Sequence, residues 1–381
     1  MKVVLFYHSF VSCWNNGHAH FLRGIARALI RLGHDVHVFE PDDGWSRLNA
    51  LKDGGAAIFA ETAALVPGIS LHTYRDDEID LDHATDGAGL VIVQEWNTPA
   101  LVSAVGRHRA AGARYTLLFH DSHHRSVTAP GDLDAFDLDG YDGVLAFGEV
   151  VREAYLRRGW ARRAFTWHEA ADTALFRPVP ETEKESDLIW IGNWGDEERS
   201  RELHSFVVNP SIALGLRARI HGVRYPQEVR DSLAANGIDY AGWLPNHRAP
   251  QAYARAHATI HVPRRPYSEA LPGIPTIRVF EALACGIPLI CSPWRDEEGL
   301  FPQGAYLSVS DELQMRAALA AVLQDRAMRD ALVDQGLRAV AARHTCAHRV
   351  GELLDIVAEL ADQPIGAAAP ARNAALERLA S

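Results

Sequence analysis

The chain has 381 residues, enough for two domains, or at most three, at roughly 100–200 residues each. Hydrophobic side chains make up 48% and charged ones 23%, which excludes wholesale disorder and permits a large core. Thirty-eight Lys and Arg against 49 Asp and Glu give a net charge of −11, and neither half is basic, so no nucleic-acid partner is expected.

KVVLFY (2–7) is a short β-branched run of the kind a buried parallel strand requires. FLRGIARALIRLGH repeats apolar residues at helical spacing through Phe21, Leu22, Ile25, Leu29 and Leu32 and stops at Gly33. DVHVFE (35–40) follows as a second strand, which makes a right-handed parallel unit. GLVIV (89–93), a helix over 98–111, RYTLLFH (114–120), DGVLAF (142–147), a helix over 149–158 and RAFTW (163–167) continue the alternation of a doubly wound sheet. The polar, Pro-containing stretch over 170–186 reads as an interdomain linker.

A second alternating series starts at DLIWIG (187–192) and a helix after Glu197. It runs through RARIHG (217–222), IDYAGW (238–243), ATIHVP (258–263) and PLICS (288–292), with helices over 226–235, 249–257 and 276–285. Three more helices reach about 361, and the Ala-rich tail from Gln363 is weakly patterned. The division expected is therefore 1–170, 171–345, a last helix over 346–362 and a tail over 363–381.

Four cysteines (Cys13, Cys285, Cys291, Cys346) show no CxxC spacing, so a disulfide framework and a zinc site are both disfavoured. The longest apolar runs are too short to span a bilayer, and Lys2 leads directly into a strand rather than a signal peptide. The expectation is a cytoplasmic chain with no transmembrane segment.

Ligands of doubly wound sheets bind beyond the carboxyl ends of the strands, so the cleft between two such units is the place to look. The richest stretch is PRRPYSEALPGIPTIRVFEALACGIPLICSPW (263–294). A Gly/Pro-rich loop leads into a helix whose free N–H groups suit a phosphate, with Thr276 at its start. Arg278 and Glu281 lie three apart near one helix face, where an arginine suits a diphosphate and a carboxylate suits a ribose diol. From spacing alone an ordinary surface Arg–Glu pair fits equally well. Arg264 and Arg265 follow a strand, and two adjacent side chains point differently, so one of them is expected at a diphosphate. A dinucleotide site is disfavoured: Glu40 has the right position, but SFVSCWNNGHAH holds a single glycine rather than GxGxxG. Three histidines and an aspartate crowd FHDSHHR (119–125), yet no spaced partner supports a metal site there.

The segment RVFEALACGIPLI, preceded by PGIPT, resembles the donor-binding signature of GT-B glycosyltransferases of the group 1, family 4-like type, and more narrowly the branch related to spore-maturation glycosyltransferases. DLIWIGNW…ERSREL, YAGWLPNHRAPQAYARAHATIHVPR, DEEGLF and HTCAHRVGELL match in order, and Gly17, RLGHDVHVFE and FHDSHHR match more loosely. The resemblance implies two facing Rossmann-like domains with a C-terminal helix crossing back onto the first. It implies a retaining, metal-independent transfer from a nucleotide-diphosphate sugar, with UDP the default, to a glycan, protein or small-molecule acceptor. Glu281 would meet the ribose; Gly192, Asn193, Arg199, Arg264, Thr276 and Arg278 would surround the diphosphate. His120 would be the catalytic contact to the sugar or acceptor, with Asn16, Gly17 and His18 on the acceptor side. In one respect the sequence departs from the family: Gly273 stands where many retaining members carry a glutamate. The amides of Gly273 and Ile274 would then have to serve the sugar. A sugar-nucleotide epimerase or hydrolase, or an inactive nucleotide-sugar-binding protein, shares the same fold.

Overall fold

In the computed structural model, residues 1–362 are described apart from Asp76; the tail over 363–381 lies outside the described residues. Two parallel sheets form. The first contains β1 (Lys2–Phe6), β2 (Asp35–Pro41), β3 (Ser70–Tyr74), β4 (Ala88–Gln94), β5 (Thr116–Asp121), β6 (Gly143–Ala146) and β7 (Ala164–Thr166), in the order β3-β2-β1-β4-β5-β6-β7. The second contains β8 (Ser186–Ile191), β9 (Ala218–His221), β10 (Asp239–Gly242), β11 (Ala256–His261), β12 (Leu289–Cys291) and β13 (Leu307–Ser308), in the order β10-β9-β8-β11-β12-β13. Each order reverses once, between β1 and β4 and between β8 and β11. Those reversals leave a crevice at the strand ends of each sheet.

The central strands are apolar because helices cover both faces: Val3, Val4, Leu5 and Phe6 are all fully buried. The helix Ala19–Arg31 turns Phe21, Leu22, Ile25 and Leu29 onto the sheet and ends at Gly33, whose φ of +82° suits a glycine.

The last helix, Cys346–Asp362, crosses back onto that first helix. A Cβ on Gly24 would stand 2.4 Å from Cys346 Sγ, so the glycine permits the close crossing. Trp167 Nε1 donates to Arg349 O at 2.8 Å, and Arg349 Nε donates to His168 O at 2.9 Å. This is the two-sheet GT-B arrangement with its returning C-terminal helix.

The connection between the sheets differs from a solvated linker. Trp167, Ala170, Ala171 and Phe176 are fully buried, Ala171 pairs with Thr345, and only the stretch from 177 to 185 is largely exposed. The helix expected after Glu197 is broken into Asp196–Glu198, Ser200–Leu203, a π turn over His204–Val208 and Asn209–Leu214. Among the described residues no helix is long and apolar enough to cross a membrane.

Candidate active site

A cavity of about 560 Å3 lies between the two sheets, walled by the segments that leave both strand-order reversals. From the first sheet come His8 and the loop Cys13–His18 after β1, Trp96 after β4, and Ser122 and His123 after β5. From the second come Gly192 and Asn193 after β8, His221 and Gly222 after β9, and Val262 and Arg264 after β11. The start of the helix Ile277–Cys285 completes the wall with Thr276, Ile277 and Arg278.

Arg199, Arg224, Arg264 and Arg278 all reach this second-sheet wall. Arg199 is held by the carbonyls of Val262 (3.0 Å) and Asn193 (2.6 Å) and lies 5.3 Å over the Trp190 ring. Burial, helped by Arg264 and Arg278, lowers its pKa to about 10. It remains a cation at neutral pH. Arg264 bonds Glu198 at 3.0 Å, whereas Arg265 turns to Glu202 at 3.1 Å and does not line the cavity. Arg278 pairs with Glu281. The helix behind it has no side-chain cap, because Thr276 Oγ1 is engaged by His261 Nε2 at 2.9 Å. Positive charge and a helix N-terminus therefore converge on one patch, which suits a diphosphate.

Glu281 sits deeper than its expected ribose contact would require. It is fully buried and does not line the cavity; it accepts from Asn246 Nδ2 at 3.0 Å, pairs with Arg278, and has His20 Nδ1 2.8 Å away. Burial pushes this carboxyl up, but Arg278 and His20 outweigh it and hold it below its ordinary value.

Gly273 and Ile274 also lie off the cavity wall. Gly273 N–H donates to Arg295 O at 2.6 Å and Ile274 N–H to Leu271 O at 3.2 Å, so neither amide is free for a sugar. Ile274 instead packs into the first-sheet core, against Gly148.

His120, expected at the reacting sugar, is fully buried behind the wall. Its ring lies 5.3 Å from His18 and 5.0 Å from Trp167. His18, Asn16 and Gly17 do line the cavity, and a Cβ on Gly17 would stand 2.9 Å from Ile277 Cγ2, so the two walls nearly touch there. His18 Nδ1 meets Glu169 Oε1 at 2.5 Å, which leaves Nε2 without a partner.

Sequence reasoning missed Glu169, Trp45, Trp96, His221, Trp243 and Tyr267, all cavity-lining. The strand-end rule, applied after β4 and β9 as well, would have reached Trp96 and His221. Buried ring or guanidinium nitrogens of His8, His18, His123, Arg199, His221 and His261 have no partner, and all six residues line the cavity. Buried polar atoms are almost always bonded in folded proteins, so these six nitrogens are open to a polar ligand or to water. Among the described residues no group of three His, Cys, Asp or Glu is placed to hold a metal ion.

Residues 199–355 match a family described as glycosyl transferase-like. No curated protein sequence matches the chain. Solved structures do. Sucrose-phosphate synthase from Thermosynechococcus elongatus has 16% identity and a TM-score of 0.65, with 95% of this chain and 99% of that one covered. Anabaena HepE in complex with UDP and glucose has 12% identity and a TM-score of 0.64, covering 94% and 100%. T4 phage β-glucosyltransferase in complex with UDP and Mn2+ has 12% identity and a TM-score of 0.58, covering 94% and 99%. The fold is GT-B. At these identities the likeness is one of fold.

Proposed function

We propose that the chain is a glycosyltransferase of the group 1, family 4-like type, in the spore-maturation branch, using a nucleotide-diphosphate sugar. The observation that carries this reading is the convergence of Arg199, Arg264 and Arg278 on an uncapped helix start in the cleft. The glycosyl transferase-like match over 199–355 covers the same wall and supports it. Residues 171–345 bind the donor, residues 1–170 hold the acceptor, and the helix over 346–362 ties the two. Gly192 and Asn193 flank the diphosphate, and the base lies toward His221, Gly222 and Trp243, with UDP the first choice. The three arginines stabilise the departing diphosphate electrostatically, so transfer needs no resident metal. The acceptor attacks from the leaving-group side and the anomeric configuration is retained, with the diphosphate taking the acceptor proton. His18, rather than His120 behind it, makes the contact to the sugar or acceptor. A net charge of −11 argues against a nucleic-acid acceptor, and four buried free cysteines suit the cytoplasm.

A thermal-shift screen of nucleotides and nucleotide sugars tests the donor, because a ligand of the native state raises the melting temperature. UDP and UDP-sugars are expected to do so without added metal. Turnover abolished by EDTA and restored by manganese would overturn metal independence, and an inverted product seen by NMR would overturn retention. Rapid conversion of the donor without an acceptor would replace the transferase with an epimerase.

A further inference from the structure

The first-sheet end of the cavity is lined by aromatic rings that lie outside the arginine wall. His8 follows β1 and lies between Trp45 and Trp96, with ring centroids 5.6 and 5.5 Å away. The two indoles stand at 65° to one another, and Trp14 stands at 79° to Trp45. Trp45 and Trp96 remain 40% and 36% exposed, and both line the cavity. The floor is different in kind. His8 is 4% exposed, its Nδ1 lies 3.5 Å from Gln94 Oε1, and its Nε2 has no partner. His123, edge-on to Trp96 at 4.9 Å, adds a second unpartnered buried nitrogen, Nδ1.

We propose that His8, Trp45 and Trp96 form an acceptor subsite for a neutral pyranose ring, which makes the acceptor a saccharide. The proposal rests on the glycosyltransferase reading above and narrows it. A pyranose has an apolar C–H face and a rim of hydroxyls. Its apolar face fits an exposed indole, whose face is electron-rich, and its rim supplies partners for His8 Nε2 and His123 Nδ1. A flat aromatic acceptor would stack equally well on the walls but leave both floor nitrogens unsatisfied, which costs affinity. Charge favours no ionic class: Arg125 lies over Trp96 at 4.5 Å and Trp14 Nε1 donates to Asp53 at 2.6 Å, so one charge of each sign stands beside the rings. Burial lowers the His8 pKa to about 4, so the floor itself is uncharged at neutral pH.

The test uses the full chain saturated with UDP and titrated with methyl pyranosides or with toluene, followed by tryptophan fluorescence. At least one pyranoside is expected to bind saturably. Trp45→Ala and Trp96→Ala should each weaken it about tenfold, and Trp45→Phe, which keeps a ring face, should weaken it less. His8→Ala should weaken the pyranoside while sparing toluene. Melting curves of each variant confirm that it folds. No saturable pyranoside binding, toluene binding tighter than every pyranoside, or full pyranoside affinity in Trp45→Ala would each overturn the subsite. Calorimetric titration of the same wild-type protein with UDP and the other nucleoside diphosphates separates the two readings. If one of them binds, only the subsite has failed; if none does, the donor reading falls and the subsite falls with it.

Discussion

His18 Nδ1 and Glu169 Oε1 are 2.5 Å apart, although 151 residues separate them in the chain. Burial raises the Glu169 carboxyl to about 8, against the pull of His20, and lowers His18 to about 3. Burial therefore keeps a proton on this pair at pH 7, shared between Oε1 and Nδ1, and either way the ring carries its other proton on Nε2 and presents the cavity with a donor. That is the form a front-side transfer can use, since the diphosphate takes the acceptor proton. Above about pH 8 Glu169 ionises, the ring proton moves to Nδ1, and Nε2 becomes an acceptor. We expect kcat/KM to fall through this range and the fall to disappear in Glu169→Gln, whose amide can donate to Nδ1 at every pH. The same inflection in the variant would remove Glu169 as its source.

The donor wall separates binding from structure. Arg264 lines the cavity with a partner, Glu198, that is itself 42% exposed, so little of the fold depends on it. Arg264→Ala should weaken UDP about ten- to hundredfold, the loss typical of a charge-assisted bond, with the melting temperature unchanged. Glu281→Ala should behave differently. It removes a fully buried carboxylate from buried His20 and from Arg278, whose side chain is 27% exposed on the cavity wall, and breaking a buried pair costs about 3–5 kcal/mol. Unchanged melting of Glu281→Ala, combined with weaker UDP binding, would return the carboxylate to the ribose.

What the sequence disclosed follows from periodicity. The strands β1 and β4 and the helix Ile277–Cys285 were legible because burial on both faces, or one wide apolar stripe, writes itself into the residues. The strand β3 was not, since Leu71, His72 and Thr73 are exposed on a sheet edge and carry no alternation. Of the expected donor-side residues, Arg264, just after a strand, Arg199, in the loop after β8, and Arg278, at a helix start, do reach the cavity wall. Depth could not be read: Glu281, His120 and Gly273 sit one layer behind the wall, a matter of packing and not of spacing. Glu169 was illegible for another reason, because only the buried course of the chain from β7 to β8 brings it to His18.

Gly273, which stands where the sequence resemblance leads one to expect a glutamate, has a structural reason to be glycine. Its φ is +89°, and a Cβ there would stand 2.6 Å from Glu298 Cγ. Glu298 cannot easily yield, since it accepts from Glu149 N at 2.9 Å and meets His168 Nε2 at 2.6 Å, holding the two halves together. Gly273→Glu should therefore lower stability by about 1–3 kcal/mol and restore no sugar contact. A variant that melts like the wild type and turns over faster would mean that the loop can shift to hold a side chain beside Glu298.

The number of neutral buried histidines should make the fold acid-sensitive. Burial lowers His8 and His344 to about 4, His18 and His261 to about 3, and His120 well below its ordinary value. Unfolded, each would protonate near 6.5, so their stabilising contribution is whole above that pH and is lost as pH falls toward the folded values. Each withdraws about 1.4 kcal/mol per pH unit once the unfolded ring is charged and the native ring is not. Glu169 runs the other way: its folded pKa is raised, so its contribution is present below about 4.5 and lost as pH rises through about 8. Glu40, Glu95 and Asp121 are raised by burial as Glu169 is, but the lowered histidines, His123 among them, outnumber these carboxyls, so unfolding near pH 5 takes up protons on balance. Calorimetry in buffers of different ionisation enthalpy counts those protons directly. A melting temperature that stays flat or rises between pH 7 and pH 5 would show that these rings are already protonated, or already solvated, in the native protein.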